Sequence, residues 1–292
     1  MKRALPALVL VLATSACTSA VSGTAKPLDG NLAVVNGPGT ATALDAVKTA
    51  AEAVFSYDST NPAAWEKAAG DNVTGDAKTQ LTTLFEDVRK NPRPVRLTTR
   101  VLRSAALELA GDRVQALAAL QQVNGATKAL ATVAFTAVRG DGHWRISDIK
   151  VNPALPPLTT RPDDGGPVGL RDSALAGARA DATALFTVDR ADPEGSYARA
   201  EAVIAEPLLS DYRAKKAAFL QGVHDNGTGV AVPALVAGLT TVTAEKASAL
   251  LFTTLKVTNA TGTTDKPLTV TLDLVREGGV WKATRIEAVT AS

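Results

Sequence analysis

The stretch AVRGDGHWRISDIKV, Ala137 to Val151, returns near the end of the chain as LVREGGVWKATRIEAV, Leu274 to Val289. Each copy runs from apolar residues into an arginine, a glycine-containing turn, a tryptophan and an alternating strand, which is the pattern of a β-hairpin. Aligned on Trp144 and Trp281, Val138 matches Val275, Arg139 matches Arg276, Gly142 matches Gly279, Arg145 matches Lys282 and Ile149 matches Ile286. Upstream, AVFSYD (Ala53 to Asp58) has its counterpart in ALFTVD (Ala184 to Asp189). Each is followed at the same offset by an Asx-Pro step, Asn61-Pro62 and Asp192-Pro193. Two matches in the same order at nearly equal spacing read as a tandem repeat of a whole domain, because the period is far too long for a solenoid.

Inside each repeat the hydrophobic period changes from helical to strand-like. Leu44, Val47, Ala51, Val54 and Phe55 recur at helical spacing, and Thr42 with Asp45 makes a capping pair at their start. Asn61 and Asp192 each precede a proline at the first helical position, where the missing N–H costs nothing. Leu81, Leu84, Phe85 and Val88 share one face of a third helix, which Pro92 and Pro94 stop. From Val95 to Val151, breaks at Ala110–Asp112, Asn124–Thr127 and Gly140–His143 separate four β-type runs. The second copy breaks at Ala244–Lys246, Asn259–Pro267 and Glu277–Gly279. The expected fold class is α+β, with helices followed by a curved antiparallel sheet in each copy. The expected boundaries are a first domain over 42–153, a proline-rich linker over 154–172 and a second domain over 173–292.

These elements carry a family resemblance. FSYD (Phe55 to Asp58) closes the first helix, a Thr74-Gly75 step opens the helix holding QLTTLFEDV (Gln80 to Val88), and a GxW[RK]xxxI strand carries Trp144. In this the chain resembles the Mce-associated proteins of actinobacteria, accessory to the mammalian-cell-entry lipid transporters. The resemblance covers nearly all of 42–151. It is looser over 174–290, where FTVD (Phe186 to Asp189) lacks the tyrosine and EPLLSDY (Glu206 to Tyr212) stands in place of the Thr-Gly step. It implies two nuclear transport factor 2-like (cystatin-like) cones and contact with components of an Mce transporter. Family members often hold a transmembrane helix and one such domain, so a tandem, lipid-anchored arrangement is a departure.

The N-terminus supplies the anchor in this reading. Lys2 and Arg3 precede an apolar run of ten, Ala4 to Ala13, which is too short to span a bilayer as a helix. Small residues then lead into Cys17, the single cysteine of 292 residues. The arrangement resembles a bacterial lipobox, with Thr14 where leucine is usual, and implies a signal peptide over 1–16 and a diacylglyceryl group on Cys17. Ordinary signal-peptidase cleavage after Ala16 is the alternative. Residues 17–41, rich in Ser, Thr, Gly and Pro, are expected as a flexible tether. The chain holds 31 Lys and Arg against 29 Asp and Glu, and losing Lys2 and Arg3 with a leader balances them. A neutral body with no basic run argues against nucleic acid as a partner.

Site chemistry is sparse. His143 and His224 are the two histidines; the first falls in a turn, and the second in the polar stretch GVHDNGTG, which reads as a loop. Asp58 and Asp189 recur after the first helix of each copy and read as turn residues rather than general bases. The strands add only Glu108, Asp273, Asp148 and Glu287, and no acid/base pair is placed by the sequence. Two distant histidines and one terminal cysteine cannot form a transition-metal site, and Asp163-Asp164 lacks the spacing of a calcium loop. No metal and no cofactor is therefore expected. Trp144 and Trp281 read as core, and Trp65, without a counterpart, as the aromatic specific to one cone. No ligand-binding residue is identified.

The expected function is that of a membrane-tethered extracytoplasmic lipoprotein, non-enzymatic and accessory to an Mce-type lipid-uptake system. A stand-alone carrier of a small hydrophobic molecule is the alternative, and a cone-fold isomerase or hydrolase the third reading. Because two acyl chains are what stable anchoring takes, Cys17→Ala is expected to move the protein from the detergent phase to the aqueous phase in detergent partitioning. Wild type already in the aqueous phase would refute lipidation.

Overall fold

The computed structural model describes residues 31–90, 94–155, 160 and 162–291. Cys17, the leader and residues 17–30 of the expected tether lie outside them. The first half runs α1 (Gly37–Val54), β1 (Tyr57–Asp58), α2 (Pro62–Asn72), α3 (Asp76–Arg89), β2 (Arg96–Ala110), β3 (Arg113–Asn124), β4 (Thr127–Gly140) and β5 (His143–Val151). The second half runs α4 (Pro167–Phe186), α5 (Pro193–Ala202), α6 (Leu208–Ala214), α7 (Lys216–Asn226), β6 (Gly229–Ala231), β7 (Leu235–Val242), β8 (Lys246–Asn259), β9 (Gly262–Glu277) and β10 (Val280–Ala288). Helices precede an antiparallel meander in both, as expected of an α+β chain.

Two boundaries differ from the sequence reading. α1 begins at Gly37, not near Thr42, because Asn36 caps it by accepting from Gly39 N at 3.1 Å and Pro38 sits in the first turn. Thr42 lies inside the helix, its hydroxyl donating to Pro38 O at 2.9 Å. Residues 31–41 are thus part of the fold rather than tether. Asn31 is buried; its Oδ1 accepts from Leu109 N at 3.1 Å and its Nδ2 donates to Leu107 O at 3.2 Å. Likewise α4 begins at Pro167, so the last residues of the expected linker are helical. Arg171 and Asp172 there form a buried ion pair at 2.6 Å, and Arg171 Nη1 donates to Asn31 O at 3.0 Å.

The asparagine and aspartate caps read from the sequence are present. Asn61 Oδ1 accepts from Ala64 N at 3.3 Å and Asp192 Oδ1 from Gly195 N at 2.9 Å. The terminal hairpins repeat down to their irregularities. Trp144 faces Arg139 and Trp281 faces Arg276 across the ladder. Each hairpin then bulges three residues beyond its tryptophan, at Ser147 and at Thr284. The Ser147 hydroxyl donates to Thr136 O at 3.3 Å and the Thr284 hydroxyl to Asp273 O at 3.2 Å. A bulge bends its strand and sharpens the twist, so both sheets curve at the same place.

All strands join one antiparallel sheet of order β10-β9-β8-β7-β2-β3-β4-β5, with β1 beside β2 and β6 beside β8. The halves meet where Ala106 pairs with Leu239. These occupy equivalent positions, each the last paired residue before a bulge in the first long strand of its half. A second pair of equivalents, Thr132 and Thr269, touches hydroxyl to hydroxyl at 2.6 Å. Contact between equivalent residues marks a two-fold relation. For β4 and β9 to meet, the sheet must curl so that its two backs face each other. Ala105, Leu107, Leu117 and Ala134 pack there against Val236, Leu250 and Phe252. Burying each large side chain at this joint stabilises by roughly 1.5–3 kcal/mol.

The opposite faces carry the helices. α1 and α3 cover the first half-sheet over a core of Phe55, Phe85, Phe135 and Trp65, with Phe55 edge-on to Phe135 at 5.9 Å. α4 covers the second through Ala174, Leu175, Ala178 and Ala182. Trp281 packs against this small-residue face, and a Cβ at Gly177 would come within 2.6 Å of its Cβ. Glycine inside a helix normally costs stability against alanine. Here the sign reverses: Gly177→Ala is expected to lose on the order of 1–3 kcal/mol through overpacking. Gly222→Ala in α7, where nothing lies within 4 Å of the added Cβ, is expected to gain roughly 0.5–1 kcal/mol. Urea melts of both variants check the opposed signs.

Candidate functional site

The carboxylates that recur in both halves hold turns. Asp58 Oδ1 accepts from Thr60 N at 2.9 Å and from the Thr60 hydroxyl at 2.6 Å. Those two bonds, and then Arg96, hold its carboxyl below the usual carboxylate range. Asp189 Oδ1 accepts from Ala191 N at 2.9 Å. Their hydrogen bonds therefore go to local backbone and a neighbouring hydroxyl, the pattern of Asx-type turns, with Arg96 Nε 3.6 Å from Asp58 Oδ2. His143 is exposed at the start of β5. His224 is not in a loop: it lies on the last turn of α7, which closes at Gly227 in the left-handed conformation that glycine accepts. Its side chain is 85% exposed beside Asp225 at 3.2 Å.

The aromatics and strand acids sort by burial. Trp65 is core, donating Nε1–H to Val54 O at 2.9 Å, with Arg89 stacked 5.5 Å above its ring. Its indole N–H is engaged within the fold, and the residue also lines a cavity of about 290 Å³ together with Tyr57, Asp58 and Arg96. Trp144 packs half-buried against the first core, and Trp281 is buried in the second. Glu108 pairs with Arg113 at 3.1 Å across the first hairpin. Asp148 accepts from Gln80 at 2.8 Å, Asp273 from Ser248 at 2.6 Å, and Glu287 from Arg285 at 3.0 Å. Among the described residues no three of His, Cys, Asp and Glu converge to hold a metal ion, and no helix is long and apolar enough to cross a membrane.

Two cavities stand out. The first lies between the halves, about 470 Å³, lined by Leu130, Val151, Phe252, Leu268 and Val289 with Thr132 and Thr269 among its walls. It is mainly apolar, and both halves contribute.

The second, about 620 Å³, belongs to the second half alone, between α4, the end of α5, the β9–β10 turn and Thr160, Pro162 and Asp163. Trp281 positions its wall, donating Nε1–H to Ser173 Oγ at 3.1 Å. Arg276 stacks 5.8 Å from that ring and reaches Asp163 at 2.6 Å. Asp181, on the buried stripe of α4, is 2% exposed and lines this cavity. Its Oδ2 has no hydrogen-bond partner. Burial pushes the Asp181 carboxyl up to about 7, offset in part by the Ala283 amide and Lys282. The sequence reading missed it. The signal was legible, because Asp181 sits three and seven residues after Ala178 and Ala174 on an otherwise apolar face.

No protein-family model matches the chain, and no curated protein does. Among solved structures, an "Ntf2 like protein involved in plasmid conjugation" aligns with a TM-score of 0.26 at 9% identity, covering 84% of this chain and 95% of that one. The intermembrane space region of the chloroplast protein ARC6 aligns with a TM-score of 0.30 at 13% identity, covering 40% of this chain and 97% of that one. The class stated here, α+β with helices over an antiparallel sheet, rests on the strand order itself.

Asp181 gives the site a pH signature. Its carboxyl, ordinarily near 3.8, is held at about 7 in the folded state. Between those values the folded protein binds more protons than the unfolded chain, so this group's contribution falls as pH rises. The loss is expected to be on the order of 2–4 kcal/mol from pH 4 to pH 8. Asp181→Asn removes the carboxyl, so urea melts across that range should show the variant's stability rising relative to wild type by that amount as pH increases. A constant difference would refute the buried acid.

Proposed function

We propose that the chain is an extracytoplasmic accessory protein of an Mce-type lipid-uptake system, lipid-anchored through Cys17 and built of two nuclear transport factor 2-like cones. The sequence signature around Phe55–Asp58, Thr74-Gly75 and Trp144 supports the family. The shared bulge and register of the two terminal hairpins support the tandem-cone organisation. The single observation that carries the functional reading is the apolar cavity between the halves, of a size and lining suited to part of a lipid. The local bonding of Asp58 and Asp189 favours a non-enzymatic role over acid/base turnover. The same cavity also favours the second reading, a stand-alone carrier.

The two are separated in a strain lacking the gene. Wild type, Asp58→Asn and Asp189→Asn are expected to restore lipid uptake equally, and transporter components are expected to copurify after cross-linking. Ala129→Trp, which fills the apolar cavity from a half-buried wall position, is expected to lower uptake without unfolding the protein. Retention of an apolar molecule that Ala129→Trp abolishes, with no copurifying partner, would establish the carrier instead. Turnover of steroid-like ketones or epoxides that Asp58→Asn abolishes would overturn both.

A further inference from the structure

Asp181 Oδ2 is a buried side-chain oxygen without a hydrogen-bond partner, and its residue lines the second-half cavity; Asp163, on the same lining, is met at Oδ2 by Arg276 at 2.6 Å. Unsatisfied polar atoms in a folded interior are few, and each needs a cause. An unpartnered buried carboxyl on the lining of a cavity of about 620 Å³ distinguishes it from a packing defect, which would be apolar.

We propose that this cavity binds a small organic ammonium ion, the nitrogen on Asp181 and the hydrocarbon part along the small-residue wall of α4. The charge count selects a cation. Arg276 answers Asp163 at 2.6 Å, and Lys282 is engaged by Glu277 at 3.3 Å. Asp181 is the carboxylate left over, and a buried charge is tolerated when a partner of opposite sign meets it. The walls select an organic ion over a metal. Ala176, Gly177, Ala180, Val203 and Val280 offer apolar surface, and no third ligand of the His, Cys, Asp or Glu type joins Asp163 and Asp181 among the described residues. The site belongs to the second half alone, because the position matching Asp181, five residues before the shared phenylalanine, holds buried Ala50 in the first.

The test titrates the full chain with n-butylammonium chloride by calorimetry and thermal melting, beside n-butanol and sodium chloride at matched concentrations. Saturable heat and a rise in Tm are expected with butylammonium alone, since a ligand that binds only the folded state stabilises it. Asp181→Asn is expected to weaken binding at least about tenfold. Because that substitution touches the core, Ala176→Leu supplies an independent arm. Ala176 is exposed and lines the cavity, so leucine there narrows the site while leaving the carboxylate and the fold in place, and is expected to weaken binding similarly. Equal responses to butylammonium and butanol, unchanged binding by either variant, or no saturable heat would overturn the proposal.

Discussion

The pairing of Ala106 with Leu239 is the constraint on which the rest of the arrangement depends. It joins two meanders edge to edge at equivalent positions and so forces their backs to turn toward each other as the sheet curls. Leu107, Leu117, Leu250 and Phe252 then leave water together, and Thr132 reaches Thr269. The strands approach closely here: a Cβ on Gly238 would lie 3.0 Å from Ala106 O and 3.1 Å from Ala105 Cβ. A larger residue at Gly238 would spread the joint. The helices are held outward as a result, since each half-sheet has one face left to cover.

Much of this was legible in the residues. The change of period after Val95 marked the meander, and the Asx-Pro steps marked α2 and α5, because a capping side chain and a proline both suit a helix start for stated physical reasons. The same signal opens α1 at Asn36-Gly37-Pro38, and the proline alone opens α4 at Gly166-Pro167. There it was outvoted by neighbouring glycines and prolines, which read as tether and linker. The polar run around His224 concealed a helix end for a related reason, as Asn226 and Gly227 resemble a turn whether or not a helix precedes them.

The joint between the halves also left a trace. The runs SAALEL (Ser104 to Leu109) and SALLF (Ser248 to Phe252) are nearly continuous in apolar residues instead of alternating. Strands buried on both faces read this way. What no linear pattern carries is which second surface covers them, since that depends on the curl of the sheet. Asp181 lies between these cases. Its place on an apolar stripe was visible, but its meaning came only from the cavity beside it and from Trp281 lying across Gly177.

Because one polypeptide supplies both sides of the two-fold contact, their association does not depend on concentration, and the two sides need not stay alike. In a homodimer of the same design, any substitution would appear twice, and a buried carboxylate introduced on one subunit would be mirrored on the other. Here the position holds alanine in α1 and aspartate in α4. One half can keep an apolar residue at this position while its partner carries a polar cavity and the stability that cavity costs. The division of labour follows from connectivity, not from any difference in fold.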